Sequence, residues 1–407
     1  MNKPAKKSLV PKLRFPEFRE EGEWKIQPLD KLLTISNGRD YKHLYDGNIP
    51  VYGSGGYMLS VNDWLHDGES VCIGRKGTID RPMFITGKFW TVDTLFYTHS
   101  FIDCLPKFIY AIFQQINWAN HNEAGGVPSL SKTNIGKIKV AVPKSKEQQK
   151  IADCLSSLDD LISAQAQKID ALKTHKKGLM QQLFPAEGET APKQRFPEFS
   201  WDWIPYKIGD FIESYCGGAA LTPSDFSLTP DYEVIPKKAI TEGGWLRIDS
   251  QNPTYCNEVF YKNNLQSVVD STYLITTLRD LVPSGPSIGY IVKYKKNKKY
   301  LLAQGVYGFK TKQDIFSDFL IHFSNSNVYR KMMQSVMVGS TQVHIRTSIF
   351  FDIPIFIPTL KEQQKVADCL SSLDDLITAH TQKLDALKNL KKGLMQQLFP
   401  AIDEVSA

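Results

Sequence analysis

Two stretches of 41 residues, 146–186 and 361–401, match at 34 positions without a gap, and this internal repeat limits the possible folds more than any other feature of the chain. The first reads KEQQKIADCLSSLDDLISAQAQKIDALKTHKKGLMQQLFPA and the second KEQQKVADCLSSLDDLITAHTQKLDALKNLKKGLMQQLFPA. A second pair of matching strings precedes them, PKLRFPEF at 11–18 and PKQRFPEF at 192–199. The long repeats lie 215 residues apart and the short markers 181, so the block between marker and repeat is 34 residues longer in the second copy. Those blocks share little beyond Trp24 with Trp203 and Gly38 with Gly217. The chain is a tandem duplication in which one part stayed constant and the other diverged.

Within the repeat, Ile151, Leu155, Leu158, Ile162, Gln165, Ile169, Leu172, Lys176, Leu179 and Leu183 step alternately by four and three, the spacing of a heptad seam. Val366, Leu370, Leu373, Ile377, His380, Leu384, Leu387, Lys391, Leu394 and Leu398 repeat it, again with polar residues at the fifth and eighth places. Pro143 and Pro358 precede the two stretches, while Pro185 and Pro400 stop them. Each predicts a helix of roughly 57 Å at about 1.5 Å per residue. Either each helix packs on its own domain, or the two pair with each other. Two copies with one seam and one length favour pairing, and the domain between them favours an antiparallel pair. Gln165 and His380 then come close together near the middle, where a buried polar residue fixes register at some cost in stability.

A chain of 407 residues exceeds one ordinary core, and 42% hydrophobic with 23% charged residues is the composition of a soluble globular protein. The net charge of +6 points only weakly to a polyanionic partner. None of the six cysteines has a neighbour at zinc or redox spacing, and the eight histidines form no ligand pattern. No apolar run reaches the roughly 20 residues needed to span a bilayer, and the basic opening 1–7 lacks an apolar signal core. The expectation is a cytoplasmic protein without a membrane partner.

The resulting fold class is α+β: two mixed α/β domains joined by two long repeated helices that form an antiparallel coiled coil, with pseudo-twofold symmetry. The expected boundaries are 1–145 and 185–360 for the domains, 146–184 and 361–400 for the helices, and 401–407 for a tail. Short β-rich runs with glycine turns fill both domains, and strand patterns at 138–143 and 353–358 lead into the helices. From Tyr290 to Lys312 seven lysines occur without an acid, with four tyrosines interleaved. Lys293, Lys295, Lys296, Lys298 and Lys299 are the densest part, suited either to phosphates or to a solvated hairpin. In the first domain Arg75, Lys76, Arg81 and Lys88 lie among Gly74, Gly77 and Gly87, where a backbone can approach a phosphate. Arg39, Lys42, Lys132, Lys237 and Lys238 complete the basic set. Arginine's fork matches the major-groove edge of guanine, which singles out Arg75, Arg279 and Arg346 as candidate base readers.

Chemistry is missing. No phosphate-binding Gly-x-x-x-x-Gly-Lys-Ser/Thr loop occurs; the glycines at 53–56 and 74–77 read as turns. Asn252-Pro253-Thr254-Tyr255 departs at its third place from an adenine-methyltransferase motif, and Pro230-Asp231 has no nuclease Glu-x-Lys after it. With these residues in hand the chain resembles the specificity subunit of type I restriction-modification enzymes. The resemblance rests on the duplicated Glu-Gln-Gln-Lys helix starts, the Arg-Phe-Pro-Glu-Phe markers, and the strings IPVYGSGG at 49–56 and IGRKGT at 73–78. It implies two target-recognition domains that each bind half of a bipartite site in double-stranded DNA, spaced by the helices. It also implies docking of two modification subunits, which bring S-adenosylmethionine, and of restriction subunits that use ATP and Mg; no cofactor is expected on this chain. The alternatives are a single-chain methyltransferase or nuclease with its own recognition module, and a coiled-coil scaffold that binds no DNA.

The spacer reading is testable in length. One heptad inserted at equivalent places in both helices keeps the seam in phase. It lengthens each helix by about 10 Å, roughly three base pairs of DNA. Methylation mapping in a host carrying the variant with its partners is expected to show unchanged half-sequences and a longer spacer. An active variant with an unchanged spacer would overturn that reading.

Overall fold

The computed structural model describes residues 9–230, 232–295 and 297–400. The opening 1–8, Asp231, Lys296 and the tail 401–407 lie outside them. The chain divides into two compact units, 1–167 with 382–407 and 168–381. Each unit therefore holds one diverged block, the first half of the helix that follows it, and the last half of the other helix. The domain limits drawn from sequence assign each helix whole, whereas the contacts split both.

The two helices are Ser145–Leu183 and Leu360–Leu398, 39 residues each. In the first unit the start of one runs antiparallel to the end of the other: Lys391 Nζ donates to both Asp159 carboxylate oxygens at 2.7 and 2.8 Å. In the second unit Lys176 Nζ does the same to Asp374 at 2.6 Å. Each ion pair is the repeat equivalent of the other, and its lysine occupies the eighth seam position. Along the seam Ile151, Leu155, Leu158, Gln165, Val366 and Leu370 are buried, and Ile162, Leu373, Ile377 and His380 half-buried.

The helix starts are where the matching strings meet. Arg14 of the first marker donates from Nε and Nη2 to the Glu147 carboxylate at 2.8 and 2.7 Å, and Trp24 Nε1 adds a third bond at 3.3 Å. Arg195, Trp203 and Glu362 repeat it at 2.9, 2.7 and 3.3 Å. Gln148 accepts from the Leu105 N–H and donates to the Pro143 and Asp103 carbonyls, and Gln363 does so with Phe316, Pro358 and Asp314. Lys150 pairs with Glu17 beside the Phe15 ring, and Lys365 with Glu198 beside Phe196. An antiparallel two-stranded pair closes each unit, Lys25–Pro28 with Lys139–Val142 and Ile204–Lys207 with Pro354–Ile357. The end of the other helix then packs against it. Phe399 stacks on Phe108 and meets Trp24 edge-on in the first unit, as Phe184 packs on Phe319 in the second.

Both units carry the same antiparallel four-stranded sheet despite their unlike sequences. Its order is Thr34–Asn37, Leu95–His99, Ser70–Gly74, Met83–Ile85 in the first and Ile212–Gly217, Val306–Thr311, Leu274–Thr277, Ile291–Val292 in the second. A second sheet in each contains one parallel pair, Val51 opposite Trp90 and Val234 opposite Leu301.

Removing the acceptor of a buried guanidinium strands its charge. Glu147→Ala, which leaves Arg14 at 8% exposure without its carboxylate, is expected to cost about 3–5 kcal/mol. In hydrogen exchange the strands Lys25–Pro28 and Lys139–Val142 should open first, with the Ile204–Lys207 pair still protected; uniform opening of both pairs would contradict a local latch.

Candidate nucleic-acid interface

Backbone hydrogen bonds set the diverged blocks in register where side chains cannot. The Gly38 N–H donates to the Leu95 carbonyl, and the Gly218 N–H to that of Val306. Arg39 N–H reaches Thr91 and Ala219 N–H reaches Leu302. Gly38 therefore corresponds to Gly218, and the sequence match to Gly217 is off by one. The reason is steric: a Cβ on Gly38 would stand 2.0 Å from the Val92 carbonyl oxygen, and one on Gly218 2.0 Å from that of Ala303. Arg75 N–H donates to Thr94 and Leu278 N–H to Gly305, while Leu130 donates to Arg75 and Ile345 to Leu278. Arg75 corresponds to Leu278, Lys76 to Arg279, and Ser131 to Arg346.

In the first unit these strand ends border an open cleft of about 780 Å³, lined by Asp40, Tyr41, Lys42, the hairpin tip from Gly53 to Met58, and Val92 to Thr94. Arg39, Lys42 and Lys76 are exposed. Arg75 is half-buried with Nη1 3.4 Å from the Asp93 carbonyl. Gly77, at φ +86°, allows the chain to turn beside Ser54, whose Oγ would lie 3.5 Å from a Cβ there. Arg81 is exposed, and exposed Lys132 begins the helix Lys132–Lys137. Lys88 stands apart: it begins the strand Lys88–Thr91 whose far end meets Arg39, and its amine lies 3.6 Å from the Trp64 ring centre.

In the second unit Lys237 and Arg279 converge on Gly305, where a Cβ would stand 3.4 Å from Lys237 Cδ and 3.1 Å from Arg279 Cβ. Arg279 pairs across a short ladder with exposed His344, and exposed Arg346 caps the helix Thr347–Phe351 without a side-chain cap bond. Lys238 is exposed beside Lys237. Of the lysine run, Lys293, Lys295, Lys298 and Lys299 lie elsewhere, and Lys296 is outside the described residues. Lys293 pairs with Asp318 and Lys298 with Glu233, acids that are remote in sequence. Lys295 lies over the Trp245 ring at 4.8 Å. Lys299 is exposed at the start of the strand Tyr300–Leu302, where it helps hold the Asp270 carboxyl below its usual range, after the Thr272 hydrogen bonds and beside Lys310. The acid-free run thus describes the local sequence and not the folded surface. Asn252-Pro253-Thr254 forms a bend in which Asp249 accepts from the Gln251 and Asn252 N–H groups.

Among the described residues no group of three or more His, Cys, Asp or Glu side chains could hold a metal, the six cysteines are unpaired, and no helix is long and apolar enough to cross a membrane. The sequence reading missed the correspondence of Lys76 with Arg279, which no string similarity marks.

Comparison with known proteins gives a consistent result. Residues 21–174 and 201–389 match the family model described as the type I restriction modification DNA specificity domain. The chain is 24% identical over 346 residues to the type I restriction enzyme MjaVIII specificity subunit of Methanocaldococcus jannaschii, across 84% of this chain and 78% of that one. It is 26% identical over 140 residues to the EcoDI specificity subunit of Escherichia coli, across 33% and 31%. The crystal structure of a type I restriction-modification S subunit from M. genitalium superposes with a TM-score of 0.64 at 13% identity, covering 97% of this chain and all of that one.

Lys293 and Lys298 are each paired with an acid of their own unit. Replacing both by Ala strips Asp318 and the buried Glu233 of partners and is expected to destabilise the second unit by about 1–3 kcal/mol, with the salt dependence of DNA affinity unchanged. Denaturant unfolding and binding titrations over a salt series check both parts; a flattened salt slope at wild-type stability would return these lysines to the interface.

Proposed function

We propose a division of labour from one premise: the chain belongs to the type I restriction modification DNA specificity family and carries two copies of its domain. It is the non-catalytic, sequence-reading subunit of such a system, with each unit binding one half of a bipartite site in double-stranded DNA. The observation that carries this is the contrast within each unit. The latch and the helix ion pairs are the same in both, whereas the strand ends that correspond to one another carry unlike side chains, exposed Arg39 against buried Ala219 and half-buried Ser131 against exposed Arg346. Two unlike readers on one scaffold suit an asymmetric DNA site. The contacts in this reading come from Arg39, Lys42, Arg75, Lys76, Arg81 and Lys132 in the first unit, and from Lys237, Lys238, Arg279 and Arg346 in the second.

Two identical modification subunits need two identical docking faces. The helices offer one each at Leu161 and Leu376, repeat-equivalent leucines left 54% and 48% exposed. S-adenosylmethionine, ATP and Mg belong in this reading to the modification and restriction subunits, and the place of action is the cytoplasm.

The purified chain is expected to bind duplex DNA with an affinity that falls steeply with salt, yet to transfer no methyl group until a modification subunit is added. Transfer of labelled methyl groups to DNA measures the second part. Methylation by the contaminant-free chain alone would sink the proposal, as would an affinity indifferent to salt.

A further inference from the structure

The diverged blocks can be compared position by position only because their backbone bonds correspond, and the comparison separates two kinds of basic residue. Lys76 and Arg279 occupy the same place. Each follows by one residue the position whose N–H reaches Thr94 or Gly305, and each bridges to the segment just ahead of a short helix, Lys76 to Ser129 before Lys132–Lys137 and Arg279 to His344 before Thr347–Phe351. Both are exposed, and no ion pair is recorded for either among the described residues. Arg39 and Arg346, in contrast, are exposed cations whose counterparts in the other unit carry no charge, Ala219 being buried and Ser131 half-buried.

Phosphates are the same in every half-site and bases are not, so phosphate contacts position a reader while base contacts specify it. A cation kept at one rim position while the side chains around it diverge answers to the constant part of the ligand. Resting on the reading of this chain as a DNA specificity subunit, we infer that Lys76 and Arg279 form the sequence-independent phosphate contact of the two units, and that Arg39 and Arg346 contribute sequence preference, one in each half-site. Lys88 and Lys299 also correspond, since Thr91 matches Leu302, but they begin the strand whose opposite end forms the rim. Lys88 is engaged by Trp64, and Lys299 lies near Asp270. They make no such contact.

The test uses the full chain, alone and with a modification subunit, and a pool of duplexes with randomised sequence from which bound molecules are selected and sequenced. Affinity for the selected site is then measured over a salt series. Lys76→Ala and Arg279→Ala should each select the wild-type half-sequences with a salt slope shallower by about one unit. Arg279→Lys should match wild type in both readouts, which a bidentate guanine reader would not. Arg39→Ala and Arg346→Ala should each relax one half-sequence and leave the other intact. The double variant Lys88→Ala with Lys299→Ala should keep both half-sequences and the slope. An altered half-sequence in Lys76→Ala, Arg279→Ala or Arg279→Lys would overturn the inference, as would unchanged selection by Arg39→Ala and Arg346→Ala, or a slope lost through Lys88 and Lys299. Wild-type protein that selects no sequence under either condition would instead overturn the DNA-reading function, and the inference with it.

Discussion

One buried carboxylate in each unit, Glu147 in the first and Glu362 in the second, accepts a two-pronged guanidinium and an indole N–H. Burying either charge alone is costly, and the bidentate geometry with a third donor is what offsets the desolvation. The consequence is positional. Because the arginine comes from the marker that opens the block and the glutamate from the helix that leaves it, the bond ties entry to exit. The adjacent glutamine then fixes the loop at Leu105 or Phe316, and the lysine two residues on covers the marker phenylalanine. Each residue of the Glu-Gln-Gln-Lys start thus has an assignment in space, with the second glutamine bonding forward to Asp153 or Asp368 along its own helix.

The end of the repeat is held as tightly as its start. Leu13 N–H donates to the Gln397 carbonyl and Gln194 N–H to that of Gln182, so each marker also grips the terminal turns of the other helix. The identity between the copies therefore covers both faces of one contact set: a change in the helix start must suit its own marker, and a change in the helix end must suit the marker of the other copy. The strand ends carry no such double obligation.

The helices, their antiparallel sense and the seam were legible in the sequence, since period and repeat length express backbone geometry directly. The seam lysines were legible as polar interruptions, but their partners Asp159 and Asp374 lie off the heptad positions and became visible only in three dimensions. The markers could be seen as repeats without their purpose, because Arg14 and Glu147 are brought together by the whole block between them. The strip from Lys293 to Lys299 read as free of acids for a related reason: sequence reports neighbours along the chain, whereas Asp318 and Glu233 arrive from elsewhere to pair with Lys293 and Lys298. Gly38 was matched one residue off because two adjacent glycines, Gly217 and Gly218, offered themselves, and only the backbone bond to Val306 and the nearby Ala303 carbonyl distinguish them. A shared topology followed from the duplication, but the strand order itself could not be read, since it is written in hydrogen bonds, which unlike side chains can share.

The latch bonds span 133 residues of chain in the first unit and 167 in the second. The entropy lost on closing a flexible loop grows only with the logarithm of its length, so the longer closure costs about 0.2 kcal/mol more. That is well below thermal energy. In polymer terms the scaffold is almost blind to the length of what it encloses: a reader can gain or lose tens of residues while the clasp beneath it closes with the same ease, and the size of each block answers to what it must contact.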